Sequence, residues 1–137
     1  MLAGAAGIAY AAGIEVRSFA LRRVEVPCLP PGHRPIRVLH VSDLHLTPTQ
    51  DRKQQWLRSL AALEPDLVVN TGDNLAHPDS VPVVLSAFGP LLDVPGVFVF
   101  GSNDYYAPTL RNPMWYLLPD DGTRTTHTSR LPFEELR

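Results

Sequence analysis

The sequence predicts an α/β fold in which three short, buried, parallel strands alternate with two helices. Three observations carry that prediction. Apolar runs of strand length occupy residues 36–42, 66–73 and 97–104. The stretches between them repeat their apolar residues at helical spacing. The connections are short, so the whole must be a compact β-α-β-α-β unit with parallel strands covered by helices.

Each element can be justified in order. Residues 1–14, MLAGAAGIAYAAGI, are uncharged. As a helix they would span about 21 Å at 1.5 Å per residue, short of the roughly 30 Å hydrocarbon core of a bilayer. No basic residue precedes Arg17, as a secretory signal would want. Glu15 and Arg17 follow abruptly, as at a membrane boundary, so the stretch reads as an apolar leader or a membrane-helix remnant. Residues 16–26, VRSFALRRVEV, are rich in β-formers and predict a strand ahead of the β-α-β-α-β unit. PCLPPGHRP, residues 27–35, holds four prolines and a glycine and must be a linker or an extended crossing.

IRVLHVS, residues 36–42, is the first buried strand. Thr49 or Asp51 then caps a helix through about Leu63, with Trp56, Leu57, Leu60, Ala61 and Leu63 on its inner face. DLVVNTGD, residues 66–73, is the second strand. The next helix turns Val81, Val84, Leu85, Phe88, Leu91 and Leu92 inward, with Pro82 in the first turn, where a missing N–H costs nothing. VFVFGSND, residues 97–104, is the third strand. Beyond Tyr105 the periodicity lapses until LPFEELR, which reads as a helix just begun.

Composition narrows the function classes. The chain has 137 residues, 45% hydrophobic and 19% charged, which suits one globular domain and excludes wholesale disorder. A single cysteine, Cys28, excludes an intrachain disulfide framework and any Cys-rich zinc site. The net charge of −2 and the scattered arginines give no reason to expect a nucleic-acid partner. There is no G-x-G-x-x-G or G-x-x-x-x-G-K-[ST] to cradle a nucleotide, and no G-x-S-x-G nucleophile elbow.

In parallel sheets, ligands bind at the carboxyl ends of the strands. Asp43-Leu44-His45 follows the first strand, Gly72-Asp73-Asn74 the second, and Gly101-Ser102-Asn103-Asp104 the third. Metal-competent side chains thus stand at one edge of the sheet three times over. In an extended segment Asp43 and His45, one residue apart, lie on one side and can grip one ion. Asp73 has two oxygens, enough to bridge a pair of ions, and an amide from the third loop can serve a second. Mixed Asp/His/Asn ligation suits Mn, Fe, Co or Zn. Two such ions about 3.5–4 Å apart activate a water and clamp a phosphoryl group.

HVSDLH, NTGDN and GSNDYY, in this order and spacing, resemble the first three motifs of the calcineurin-like metallophosphoesterase superfamily. They are similar in style to its bacterial membrane-associated branch, which includes UDP-2,3-diacylglucosamine hydrolases. The resemblance covers residues 36 to about 106 and implies the N-terminal half of a metallophosphoesterase-like α/β sandwich. It assigns one metal to Asp43 and His45, and the bridging position to Asp73. It implies a phosphoesterase that hydrolyses a phosphomonoester, phosphodiester or pyrophosphate with a metal-bound hydroxide. The substrate is then a phosphorylated small molecule or lipid-linked phosphate, in a cytoplasmic or membrane-associated setting.

Two departures qualify the resemblance. The family's third motif usually runs Gly-Asn-His-Asp/Glu, with the Asn as ligand and the His as proton donor. Aligned on Gly101 and Asp104, Ser102 takes the ligand place and Asn103 the His place. Ser is the poorer ligand, and Asn is no general acid near neutral pH. A small loop adjustment lets Asn103 supply the ligand oxygen instead, and the acid stays unassigned. The family also continues into a Gly-His-x-His motif that this chain lacks, since only His127 follows residue 104. Residues 15–137 therefore read as a C-terminally truncated domain, expected to bind metal weakly or at one site and to hydrolyse slowly. A non-catalytic metal-binding remnant or binding module is the competing expectation.

The remaining candidates have plainer readings. His40 belongs to the sheet, His33 to the solvated linker and His77 to a loop, while Cys28 has no evident partner. Trp115 and Tyr116 cover a core edge, and Tyr105 and Tyr106 wall a pocket or simply pack.

Overall fold

The computed structural model describes residues 18–107 and 129–136. The chain divides into two units, Met1–Pro35 and Ile36–Arg137. The leader at residues 1–14, Trp115, Tyr116 and His127 lie outside the described residues.

Residues 18–26, the described part of the predicted N-terminal strand, form no strand. Val24 and Val26, the β-formers that suggested one, are 81% and 69% exposed, so no burial holds them extended. The proline-rich segment is irregular, as its composition requires, with a turn in which His33 N–H donates to the Pro30 carbonyl and Gly32 has φ +88°.

The second unit is the predicted β-α-β-α-β. β1 (Val38–Val41), β2 (Leu67–Asn70) and β3 (Gly96–Phe98) form one parallel sheet in that order. Leu39 pairs with Val68, and Val68 with Gly96. α1 (Asp51–Ser59) continues as a 3₁₀ turn over Leu60–Leu63, and α2 (Val81–Phe88) as another over Gly89–Asp93. A short α3 (Ser102–Tyr105) follows β3, and a 3₁₀ turn closes the described chain at Phe133–Leu136. The strands are thus shorter than the apolar runs. The polar ends of those runs, Thr71–Asp73 and Gly101–Asp104, lie beyond the strands and form the site loops.

Alternation along the strands selects the covered face. Leu39, Val41 and Val68 join Leu57 and Leu60 of the first crossover and Val84, Phe88 and Leu91 of the second in one core. The predicted inner stripe of the second helix is narrower than expected. Leu85, within the regular part of the helix, and Leu92 are 40% and 57% exposed. Leu92 lies in the 3₁₀ turn after Phe88, where the period tightens from 3.6 to 3.0 and carries it off the buried stripe. The helix start also differs from the Thr49 or Asp51 cap. The residue preceding α1 is Gln50, and its Oε1 instead accepts from Thr47 N–H at 3.2 Å. Arg37 binds the far end of the crossover: its N–H donates to Asp66 Oδ2 at 2.8 Å, and its guanidinium reaches the Leu63 and Glu64 carbonyls.

Leu57 is fully buried at the centre of this core. Leu57→Ala removes three heavy atoms from a packed interior and is expected to cost about 2–5 kcal/mol, transfer plus cavity. Equilibrium urea unfolding, read as a lower midpoint at unchanged slope, checks this.

Candidate metal centre

The ladder does not stop where the strands do. Beyond β1 and β2, Asp43 N–H donates to Gly72 O at 3.0 Å, His45 N–H to Asp73 O at 2.9 Å, and Leu46 N–H to Asn74 O at 2.8 Å. The loop after β1 and the loop after β2 therefore run side by side, and their side chains converge. Asp43, His45 and Asp73 each present a ligand atom within 4.8 Å of the others. The sequence-predicted triad is thus brought together.

The backbone at these positions is not the extended one expected. Asp43, His45 and Asp73 have φ of +54°, +42° and +58°. They are three of the four non-glycine residues with positive φ among the described residues. In that left-handed region an L-residue costs about 1–2 kcal/mol, and outliers of this kind cluster at functional sites. The strain turns Asp43 and His45 toward one point, with His45 Nε2 3.9 Å from Asp43 Oδ1. Ser42 Oγ–H donates to Asp43 Oδ2.

Asp73 is held on every side. Its N–H donates to Asp104 Oδ2 at 2.9 Å, and its carbonyl accepts from His45 N–H. Its Oδ1 accepts from Asn103 N–H at 2.9 Å and its Oδ2 from Asn103 Nδ2 at 2.8 Å. Asn103 therefore lies against the proposed bridging carboxylate, with its amide nitrogen toward Asp73. Ser102, the other third-motif candidate, is exposed at the first position of α3.

Close backbone approach makes this possible. Gly72 has φ +94°, and a Cβ there would lie 2.3 Å from Gly101 N. A Cβ on Gly101 would lie 2.1 Å from Asp73 Oδ1. The two glycines let the second and third loops touch.

Several supporting residues escaped the sequence reading. Asp104 served only to align the third motif, yet it is fully buried and accepts four backbone N–H groups. Asn70 Oδ1 accepts from Gly72 N–H, and its Nδ2 donates to Asn74 Oδ1, which folds the turn after β2. The N-T-G-D-N spacing carried that signal, since Asn side chains bond their own backbone two residues on. Lys53 Nζ donates to the Leu44 carbonyl at 2.7 Å, between the two first-motif ligands. Burial pushes the Lys53 amine below its ordinary range.

The other histidines take structural places. His40 Nε2 pairs with Thr71 Oγ1 at 2.9 Å on the exposed side of the sheet, and His77 Nδ1 accepts from Asp79 N–H. Tyr105 packs at tilted ring angles among Phe100, Tyr106 and Phe133. An apolar cavity of about 470 Å³, lined by Phe88, Leu91, Val97, Phe98 and Leu136 among others, contains none of the triad.

The donor set fits a divalent cation. Two carboxylates and an imidazole are borderline-hard ligands with no thiolate. An ion about 2.1 Å from each needs ligand atoms about 4.2 Å apart or closer. The exposed Asp43 side chain is free to make that small contraction.

Comparison with known proteins agrees with this geometry. Residues 36–134 match the calcineurin-like phosphoesterase family. A bovine protein named "Transmembrane protein with metallophosphoesterase domain" (Bos taurus) is 34% identical over 105 residues, covering 72% of this chain. The chain spans 23% of that relative's length. No solved structure matches. Among the described residues, no helix is long and apolar enough to cross a membrane. With the family match spanning most of the chain, and the three motifs meeting at one edge of the sheet, this chain belongs to the calcineurin-like phosphoesterase family.

Proposed function

We propose that the chain carries a metallophosphoesterase centre in which Asp43, His45 and Asp73 hold divalent metal, with Asp73 placed to bridge two ions. The convergence of these three side chains within 4.8 Å supports the reading most directly. When bound, the ions supply Lewis acidity toward phosphoryl oxygens and activate a water. The protein's own part is orientation: the left-handed backbone aims Asp43 and His45, and Asn103 steadies Asp73. Asn103 is also the third-motif residue placed to offer an amide oxygen, provided its side chain turns over. Mn, Fe, Co or Zn suits the donors. The substrate class is a phosphorylated small molecule or a lipid-linked phosphate. The printed name of the bovine relative supports a membrane-associated setting.

The test is Mn²⁺-dependent hydrolysis of bis-p-nitrophenyl phosphate by the full chain, against His45→Ala and a chelator-treated control. Turnover that chelator abolishes and His45→Ala lowers by about 100-fold or more is expected, since even outer-shell changes cost 10–100-fold. Equal background rates in all three sink the enzymatic reading. A second reading, a metal-binding module without turnover, is favoured by Asn103 standing where a proton donor belongs and Ser102 where the family's ligand belongs. It predicts Mn²⁺ binding in the same protein with no hydrolysis.

A further inference from the structure

Asp104 stands apart from the metal-facing side chains. It is fully exposed to backbone and not at all to solvent. Its Oδ1 accepts from Asn74 N–H at 2.7 Å and Leu75 N–H at 3.0 Å. Its Oδ2 accepts from Asp73 N–H and Gly101 N–H, both at 2.9 Å. A carboxylate only accepts, so four N–H donors match its lone pairs and leave none for a metal. Three of the donors belong to the loop after β2 and one to the loop after β3.

We propose that Asp104 is the positioning residue of the metal centre, fixing the aim of the Asp73 carboxylate through the backbone amides of Asp73, Asn74, Leu75 and Gly101. The assignment rests on reading Asp73 as a metal ligand. Asp73 occupies a strained left-handed conformation at φ +58°, and a loop free to relax would leave that region. Asp104 closes the escape by binding the amide of Asp73 itself and those of the next two residues. The same carboxylate draws Gly101 N–H inward, which seats α3 so that Asn103 can bond both oxygens of Asp73. Apolar packing alone would not orient four N–H groups to one point, and their burial without an acceptor would be costly.

Asp104→Asn tests the role. One oxygen remains for one pair of amides, while the new NH₂ faces the other pair. Calorimetric titration of the full chain with Mn²⁺ is expected to show affinity reduced about 10–100-fold in the variant, at a temperature where its thermal unfolding shows it folded. Wild-type affinity in a folded variant overturns the proposal, because a merely structural residue would lower the melting point and leave affinity alone. Hydrogen exchange of the metal-free wild type is the second measurement, and it decides the matter if the variant does not fold. Slow exchange at residues 73, 74, 75 and 101, unchanged by added Zn²⁺, carries the proposal. Exchange that slows only when Zn²⁺ is added overturns it, since the ion and not Asp104 would then order the loop. Asp73→Asn is titrated alongside: Mn²⁺ binding equal to wild type there sinks the metal-centre reading itself, whatever the exchange pattern.

Discussion

Asp73→Asn is expected to weaken Mn²⁺ binding by about 100-fold or more, given that altering a ligand's supporting partner alone costs 10–100-fold. The substitution is chosen for its backbone neutrality, because Asn tolerates the left-handed region at least as well as Asp. Strain at φ +58° is thereby left in place, and the change is confined to charge and to one oxygen. Only one of the two Asn103 donors then keeps an acceptor. The Asp104 anchor is untouched, since it binds the backbone of residue 73 and not its side chain. Titration calorimetry on chelator-treated protein measures the loss, and circular dichroism confirms that the fold persists.

Gly72→Ala is expected to be strongly destabilising. Its Cβ would stand 2.3 Å from Gly101 N and 2.8 Å from Gly101 Cα. Both are backbone atoms, so no side chain can swing aside. The positive φ of +94° adds a conformational penalty of about 1–2 kcal/mol for any L-residue. Overpacking costs about 1–3 kcal/mol in a well-packed region, so a total near 3 kcal/mol or more is expected. For a unit of this size each kcal/mol lowers the melting temperature by about 4–8 °C. A thermal melt of Gly72→Ala within a few degrees of wild type would contradict the close approach of the two loops.

Much of this architecture was legible from the sequence because its signals were local. Apolar runs such as VLHV and LVVN marked strands, and the spacing of Leu57, Leu60, Val84 and Phe88 marked buried helix faces. Asp43, His45 and Asp73 could be named because strand order alone carries their loops to one edge. The N-terminal strand was misread because Val24 and Val26 have β-propensity without burial, and propensity is weak where no packing backs it. Asp104 was missed for a different reason. Nothing in its own neighbourhood distinguishes an exposed turn aspartate from one that collects amides thirty residues away. The inward turn of Leu92 failed because Gly89 and Pro90 open a tighter helix after α2.

The left-handed backbone at Asp43 and His45 sets stability against function at those two positions. A glycine at either would relax the chain by about 1 kcal/mol while deleting a ligand. Any search for sturdier variants guided by melting temperature alone would therefore erode the first motif first. Asp73 is shielded from that trade, because its side chain also receives both Asn103 donors and its removal would forfeit them. Stabilising the protein without blunting the site accordingly means leaving residues 43 and 45 fixed and seeking gains in the exposed faces of the helices.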